Sequence, residues 1–486
     1  MARAHRIVDW NPEDVATWEA GNNKIARRNL ICSVIADHTA FSVWSIWSVL
    51  MLFMPESVYG FSSGDKLLLA AVATLTGGCV RIPYTLGIAR FGGRRWTTVT
   101  VLVLLIPTAG TIVLLANPGL PLWPYLACAV LTGLGGGNYS ASLANINAFY
   151  PQRRKGWALA VNAGGANLGV AVVQLVGLLV LATAGNRQPY WVGAIYLVLL
   201  AIAGVTAALF MDDLDHSIEV GDFRSILSEF HTWVIALLYI GTFGSFIGFA
   251  FAFGRVLYVN FLAGGQSPGQ ASLHVAQVAF VGPLLGALAR MYGGRVSDRI
   301  GGSRVTLAVF GGMILATALL VAVSTHQERT HGPATAAVVV CYVTGFIALF
   351  ILSGMGSGSV FKMIPSIFDA HSRSLDASEA ERRHWARAKS GALLGFAGAV
   401  GACGGVGINL ALRQSYGSTG QPTSALWLFM AFYVVAAILT WTVYVRRPHS
   451  TVAGTAPEPA LVRLRSTLRR VAGARDGRAL IPVQQD

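Results

Sequence analysis

The sequence predicts an all-α membrane protein of twelve transmembrane helices arranged as two related six-helix bundles. Three observations carry that prediction: an apolar composition, twelve apolar stretches of membrane-spanning length, and a repeat that relates the two halves of the chain. Of the 486 residues, 54% are hydrophobic and only 12% charged, with mean hydropathy +0.57. Water-soluble chains are about one-quarter charged, so a soluble enzyme is excluded. A hydrocarbon core of about 30 Å needs roughly 20 apolar residues of helix. Such stretches lie near residues 30–54, 66–90, 97–116, 123–149, 157–183, 190–210, 232–261, 272–293, 304–324, 334–364, 389–412 and 424–445. The tenth is long enough to hold a kink or a surface turn.

The formal charge of +14 would raise nucleic acid as a partner in a soluble protein, but these charges sit between the apolar runs. Short cytoplasmic loops collect Lys and Arg. The odd-numbered connections hold only Lys66, Arg187, Arg329 and Arg413, whereas the N-terminal segment and even-numbered connections hold Lys24, Arg27, Arg28, Arg94, Arg95, Arg153, Arg154 and many more. Both ends are therefore expected in the cytoplasm, and no nucleic-acid role remains. The expected organisation is an N-terminal segment (1–29), a first bundle (30–211), an acidic linker (212–231), a second bundle (232–446) and a basic tail (447–486).

The first 29 residues are polar and lack a cleavable signal peptide, so span one itself must direct insertion. Asn11-Pro12-Glu13-Asp14 reads as a helix start, with Asn11 as N-cap and proline at the first position, which predicts a short cytoplasmic helix before span one. Cys32, Cys79, Cys128, Cys341 and Cys403 all fall in spans without metal-ligand spacing and are expected to be small apolar packers. In the tail, Leu461, Leu464, Leu468 and Val471 recur at helical spacing among arginines, which suits either an amphipathic helix on the inner leaflet or a disordered basic tail.

Duplicated halves are common in membrane transporters. Residues 81–95 (RIPYTLGIARFGGRR) and 290–304 (RMYGGRVSDRIGGSR) share an arginine followed eleven residues later by Gly-Gly and then by another arginine. A constant offset of 209 maps Arg81 to Arg290 and Arg95 to Arg304, aligning span two with span eight. A second echo relates residues 155–169 to 389–403, aligning span five with span eleven.

GIARFGGRRW (87–96) and GGRVSDRIGGSR (293–304) resemble the loop signature of the major facilitator superfamily, whose fold is two six-helix bundles around a central cavity. GLGGGNYSASLANINAFYP (133–151) and KGWALAVNAGGANLGVAVVQL (155–175) are similar to the signature of its nitrate/nitrite porter family, the NarK type. RIPY (81–84), YIGTFGSFIGF (239–249), GPLLGALAR (282–290), GSGSVFKMIPSIF (356–368) and GFAGAVGACGG (395–405) support the resemblance. It implies a monomeric carrier of nitrate and nitrite in a bacterial inner membrane, serving nitrate assimilation and requiring no cofactor or metal. It also implies that Arg81 and Arg290 hold the anion, that Asn167 and Tyr239 hydrogen-bond it, and that Tyr139 and Phe243 wall it above and below. Tyr139 stands where the family pattern has phenylalanine.

Physical chemistry agrees with the two arginines. A guanidinium facing lipid is expensive, so an intramembrane arginine is expected in a water-filled cavity or beside an ion partner. Asp37 is the one clear acid in the spans and cannot neutralise two arginines. The parallel N–H donors of a guanidinium match two oxygens of a planar oxyanion, a geometry lysine does not reproduce. Two such cations about 6 Å apart repel by ~3 kcal/mol at an effective dielectric of about 20. The anion-free carrier then resists closing and the loaded one does not, which favours nitrate/nitrite exchange.

Two features point elsewhere. Asp37-His38 in span one is a carboxylate beside an imidazole that could carry a proton, and Lys362 in span ten could add positive charge to the path, so nitrate/proton symport is the main alternative. Ordinary local pairing of Asp37 and snorkelling of Lys362 compete with these roles. Arg95, Asp298, Arg299 and Arg304 in the loops are expected to latch one conformation. The glycine-rich segments suit close helix packing, with smooth faces for sliding. No paired acids, nucleophile with a base, or metal-ligand cluster suggests catalysis. An anion-binding sensor would need a signalling domain larger than residues 446–486, and a carrier of larger organic anions would need more polar cavity positions.

Overall fold

Backbone N–H and C=O groups in hydrocarbon have no water to bond, so each apolar stretch satisfies them by forming helix. The computed structural model describes residues 6–185, 188–214, 221–330 and 334–446. Eleven helices among the described residues are long and apolar enough to span a membrane. They are Val15–Phe53, Ser63–Ile88, Gly93–Ala116, Gly156–Ala184, Tyr190–Phe210, Phe230–Ala263, Pro268–Ile300, Gly302–Thr330, Ala336–Ser372, Ala388–Thr419 and Thr423–Val445. Span four falls between the third and fourth of these as two helical segments, Leu122–Gly133 and Asn138–Phe149, joined by the 3₁₀ turn Leu134–Gly137. Its second segment is only 12 residues long, and Asn138, Ser140, Ser142, Asn145 and Asn147 dilute its hydropathy. Among the described residues the fold is all-α apart from a two-residue parallel pairing of Arg6–Ile7 with Asp213–Leu214.

The breaks in spans two and eight follow from proline. Pro83 cannot donate to the carbonyl of Cys79 and its ring crowds that carbonyl, so span two interrupts at Val80, immediately before Arg81. Pro283 acts in the same way in span eight, where the break at Phe280 precedes Arg290 by ten residues. In span seven a π turn, Ile240–Gly244, follows Tyr239 and contains Phe243. Span ten, by contrast, is one helix from Ala336 to Ser372 with Pro365 inside it and no surface turn.

Several expectations are corrected at the ends. Asp14, not Asn11, is the N-cap: its carboxylate accepts from the Ala16 N–H, while Asn11 accepts from Glu13 in the turn before. The helix that begins there ends at a kink where Gly21 leaves helical geometry (φ 164°, ψ −16°), and span one resumes at Asn23, so the expected short helix precedes span one. Cys79 and Cys403 are exposed and do not pack in the core. The amphipathic pattern at 461–472 lies outside the described residues.

The halves meet where span two packs on span eleven and span five on span eight. Among the described residues, hydrogen bonds join the halves at two levels toward the middle and the far end of the bundle. One is the arginine pair described below. The other lies toward the end remote from the basic loops, where Ser272 Oγ donates to Leu52 O (2.7 Å), Gln174 Nε2 donates to Ala250 O (3.0 Å) and Arg255 donates to Ser63 Oγ. Arg255, to which sequence reasoning gives no role, is thus a tie between the halves. At the basic end, the acids after span six organise the loops. Asp213 Oδ1 accepts from the Arg94 N–H (2.8 Å), capping span three, and Asp212 pairs with Arg28 (2.5 Å).

Candidate anion site

Helix geometry brings one arginine from each half to the same place. Arg81 and Arg290 are 0% and 5% exposed, and neither faces lipid. Arg81 donates through Nε to the Gly136 carbonyl of span four (3.2 Å) and through Nη1 to the Gly398 carbonyl of span eleven (2.6 Å). Arg290 donates through Nη2 to two phenol oxygens, Tyr139 of span four (2.6 Å) and Tyr239 of span seven (2.8 Å). Each arginine therefore bonds across the boundary, Arg81 to the second half and Arg290 to the first.

Two glycines make these approaches possible. A Cβ on Gly398 would stand 3.2 Å from Arg81 Nη1, and one on Gly358 would stand 2.3 Å from the Arg290 carbonyl. The glycine-rich segments thus bring backbone against the arginine helices, as small residues do in membrane helix packing.

Aromatic rings complete the cage. Tyr139, Phe243, Tyr239 and Phe361 form a staircase of nearly parallel rings, with successive centroids 6.4, 5.2 and 4.6 Å apart and interplanar angles of 10°, 9° and 14°. The Arg81 guanidinium lies 4.7 Å from the Phe243 centroid, 5.1 Å from Tyr139 and 5.5 Å from Trp44. That of Arg290 lies 5.0 Å from Phe361 and 5.6 Å from the same Phe243 ring. Cation–π attraction of this kind strengthens once water is excluded, so the rings help hold both charges where no acid does. In this structure the rings enclose both guanidiniums, which are buried.

Among the described residues neither arginine has a carboxylate partner, and each keeps one terminal nitrogen buried without a hydrogen bond: Arg81 Nη2 and Arg290 Nη1. Buried polar groups are nearly always satisfied, and leaving a charged donor unpaired costs several kcal/mol. Free N–H donors from two cations fit a small anion.

The remaining candidates separate. Tyr239, Tyr139 and Phe243 join the arginines, with Tyr139 also acting as an acceptor through the hydroxyl that a phenylalanine would lack. Asn167 is buried on span five with Oδ1 unpartnered, three residues from Gly164, whose open face meets Met291 beside Arg290. No hydrogen bond ties it to either guanidinium. Asp37 is buried and accepts from Ser142 Oγ and from Asn162 Nδ2 (3.0 Å), with Oδ1 unpartnered. His38 turns away from it to the Gly165 carbonyl (3.1 Å), so the neighbours in sequence are not a pair in space.

Lys362 does not reach the arginines; it pairs with Asp298 at 2.6 Å on a partly exposed surface. The expected latch is not one cluster. Asp298 takes Lys362, Arg95 lies 3.9 Å from Asp213, and Arg299 and Arg304 are exposed without a described ion pair. Sequence reasoning missed the carbonyls of Gly136 and Gly398, the rings of Trp44 and Phe361, and the Ser142–Asn162 support of Asp37. Gly136, Gly398 and Phe361 lie within the quoted glycine-rich segments, which was the available signal; Trp44 had none.

Comparison with known proteins identifies the family. The family model described as Major Facilitator Superfamily matches residues 39–380. The nitrate/nitrite transporter NarU of Salmonella typhimurium is 37% identical over 464 residues, covering 91% of this chain and 96% of NarU. The probable nitrate/nitrite antiporter NarK2 of Thermus thermophilus is 30% identical, covering 92% of this chain and 98% of its own. A crystal structure of the nucleoside transporter NupG shares the fold at TM-score 0.57 and 14% identity, over 85% of this chain and 98% of NupG. With the superfamily model over most of the spans and these relatives matched nearly end to end, the chain belongs to the NarK-type nitrate/nitrite porter family of the major facilitator superfamily.

Proposed function

We propose that this protein carries nitrate and nitrite across a bacterial inner membrane by alternating access, exchanging one for the other, with the anion held between Arg81 and Arg290. It acts as a monomer with both ends in the cytoplasm. The observation that supports the site is the pair of buried guanidiniums, one per half, with free N–H donors and no carboxylate. Its relatives named as nitrate/nitrite transporters and antiporters support the substrate. A flat oxyanion accepts the in-plane donors of both cations and relieves their mutual repulsion. It can also replace the bonds that each arginine makes across the boundary, so that loading, not the anion-free state, permits the halves to rock.

The test is counterflow in proteoliposomes. Nitrate uptake is expected to require internal nitrite or nitrate and to ignore an imposed pH gradient. Uptake into anion-free vesicles, driven by a pH gradient, supports proton symport instead. One observation favours that second reading: Asp37 is a buried carboxylate that makes no ion pair among the described residues, and the Ser142 hydroxyl that donates to it also lies 3.1 Å from the Tyr139 carbonyl on the span that serves Arg290. A proton on Asp37 would remove a buried charge from the bundle.

A further inference from the structure

At the basic end of the molecule, far from the arginine pair, a cavity of about 360 Å³ opens between spans one and six. Its upper rim is Lys24, Arg27 and Arg28, and its wall is Ile31, Ile35 and Phe210. The residues of span one recur at helical spacing, which puts the cations and the isoleucines on one face. Arg28 is committed: it pairs with Asp212 (2.5 Å) and donates to the Phe210 carbonyl (2.7 Å), fixing the wall to the rim. Lys24 and Arg27 are exposed and make no hydrogen bond or ion pair with a described residue. Ile31, Ile35 and Phe210 are 49%, 38% and 49% exposed.

We infer that this cavity is a binding site for one anionic phospholipid. A phosphate needs two or three cationic donors at headgroup depth, and Lys24 and Arg27 offer them beside the already neutralised Arg28. An acyl chain needs an apolar track running inward from those donors. Ile35 lies eight residues beyond Arg27, about 12 Å along the helix, which carries the track from headgroup level into hydrocarbon. A free phosphate would use the rim and ignore the wall. A zwitterionic lipid would use the wall, and its own cationic headgroup would oppose the rim. An anionic phospholipid uses both. The site lies where span one meets the connection between the halves, so its occupant also braces Asp212 and the strand pairing beside it.

The test uses the full chain in nanodiscs of phosphatidylcholine with or without phosphatidylglycerol, read by native mass spectrometry. The wild type is expected to retain one phosphatidylglycerol in preference to phosphatidylcholine. The K24Q/R27Q double variant should hold it ~30-fold more weakly, at ~5-fold per lost cation. Phe210→Ala keeps the cations and trims the wall, and should weaken retention ~10-fold. Unchanged gel-filtration elution and unchanged counterflow establish that both variants are folded. Equal retention in the double variant, equal retention of phosphatidylcholine, or displacement by inorganic phosphate at matched ionic strength would each overturn the assignment.

Discussion

Arg81 and Arg290 occupy the same position of a duplicated sequence, yet their surroundings differ in kind. Two backbone carbonyls, of Gly136 and Gly398, hold Arg81, whereas two phenol hydroxyls, of Tyr139 and Tyr239, hold Arg290. A carbonyl is fixed by its helix and has no rotamer. A phenol hydroxyl turns with its ring and can accept from the arginine or donate to an oxyanion. The first half therefore presents a rigid cation and the second an adjustable one. Pseudo-symmetry fixes where the charges stand and leaves each half free to choose how they are held.

The largest expected effect tests what the two share. Arg81→Lys and Arg290→Lys each keep the charge and lose the planar donor pair, and counterflow should fall by at least ~100-fold, the equivalent of one charge-assisted hydrogen bond in a buried site. Expression level and thermal stability of the lysine variants separate transport loss from unfolding; retained exchange in both would reject the site.

The next effect tests how they differ. Tyr139→Phe and Tyr239→Phe should each weaken nitrate affinity ~10-fold, about 1.4 kcal/mol for a lost hydrogen bond to a charged group, as measured by the half-saturating nitrate concentration. Trp44→Phe, beside Arg81, removes ring surface but no acceptor of either arginine, so a shift smaller than that of the tyrosines is expected. Equal shifts in all three variants would erase the distinction between rigid and adjustable cations.

Lys362→Gln breaks an ion pair that is largely in water, and such pairs are worth about 0–1 kcal/mol, so exchange rates should change by less than ~5-fold. Asp37→Asn preserves shape and both supporting donors, and nitrite-driven counterflow should stay within ~2-fold of wild type on the proposed exchange mechanism. A variant that loses pH-driven uptake while keeping counterflow would instead assign Asp37 to proton coupling.

Much of this was legible in the chain. Apolar length and loop charge gave the spans, and the repeated arginine before Gly-Gly gave both cations, because an isolated charge inside an apolar run has few physical explanations. Span four was found by counting although its Asn- and Ser-rich second segment dilutes its hydropathy. What sequence could not supply was direction in space. Asp37 and His38 are adjacent in the chain, but successive helical residues point about 100° apart, so they serve different neighbours. Lys362 follows Phe361 by one position and for the same reason turns to Asp298 while the ring joins the cage. The acceptors of Arg81 were hidden because carbonyls carry no sequence letter.

The π turn at Ile240–Gly244 has a consequence for how this site can change over evolutionary time. It holds one residue more than an α-helical turn would. Removing a single residue there would let the helix close up and swing everything on one side by about 100° relative to the other. Tyr239 and Phe243 would then look in different directions, while hydropathy and length of the span stayed almost unchanged. The register of the cage is thus written in a residue count, and one lost codon could unmake it without altering any of the chemistry around it.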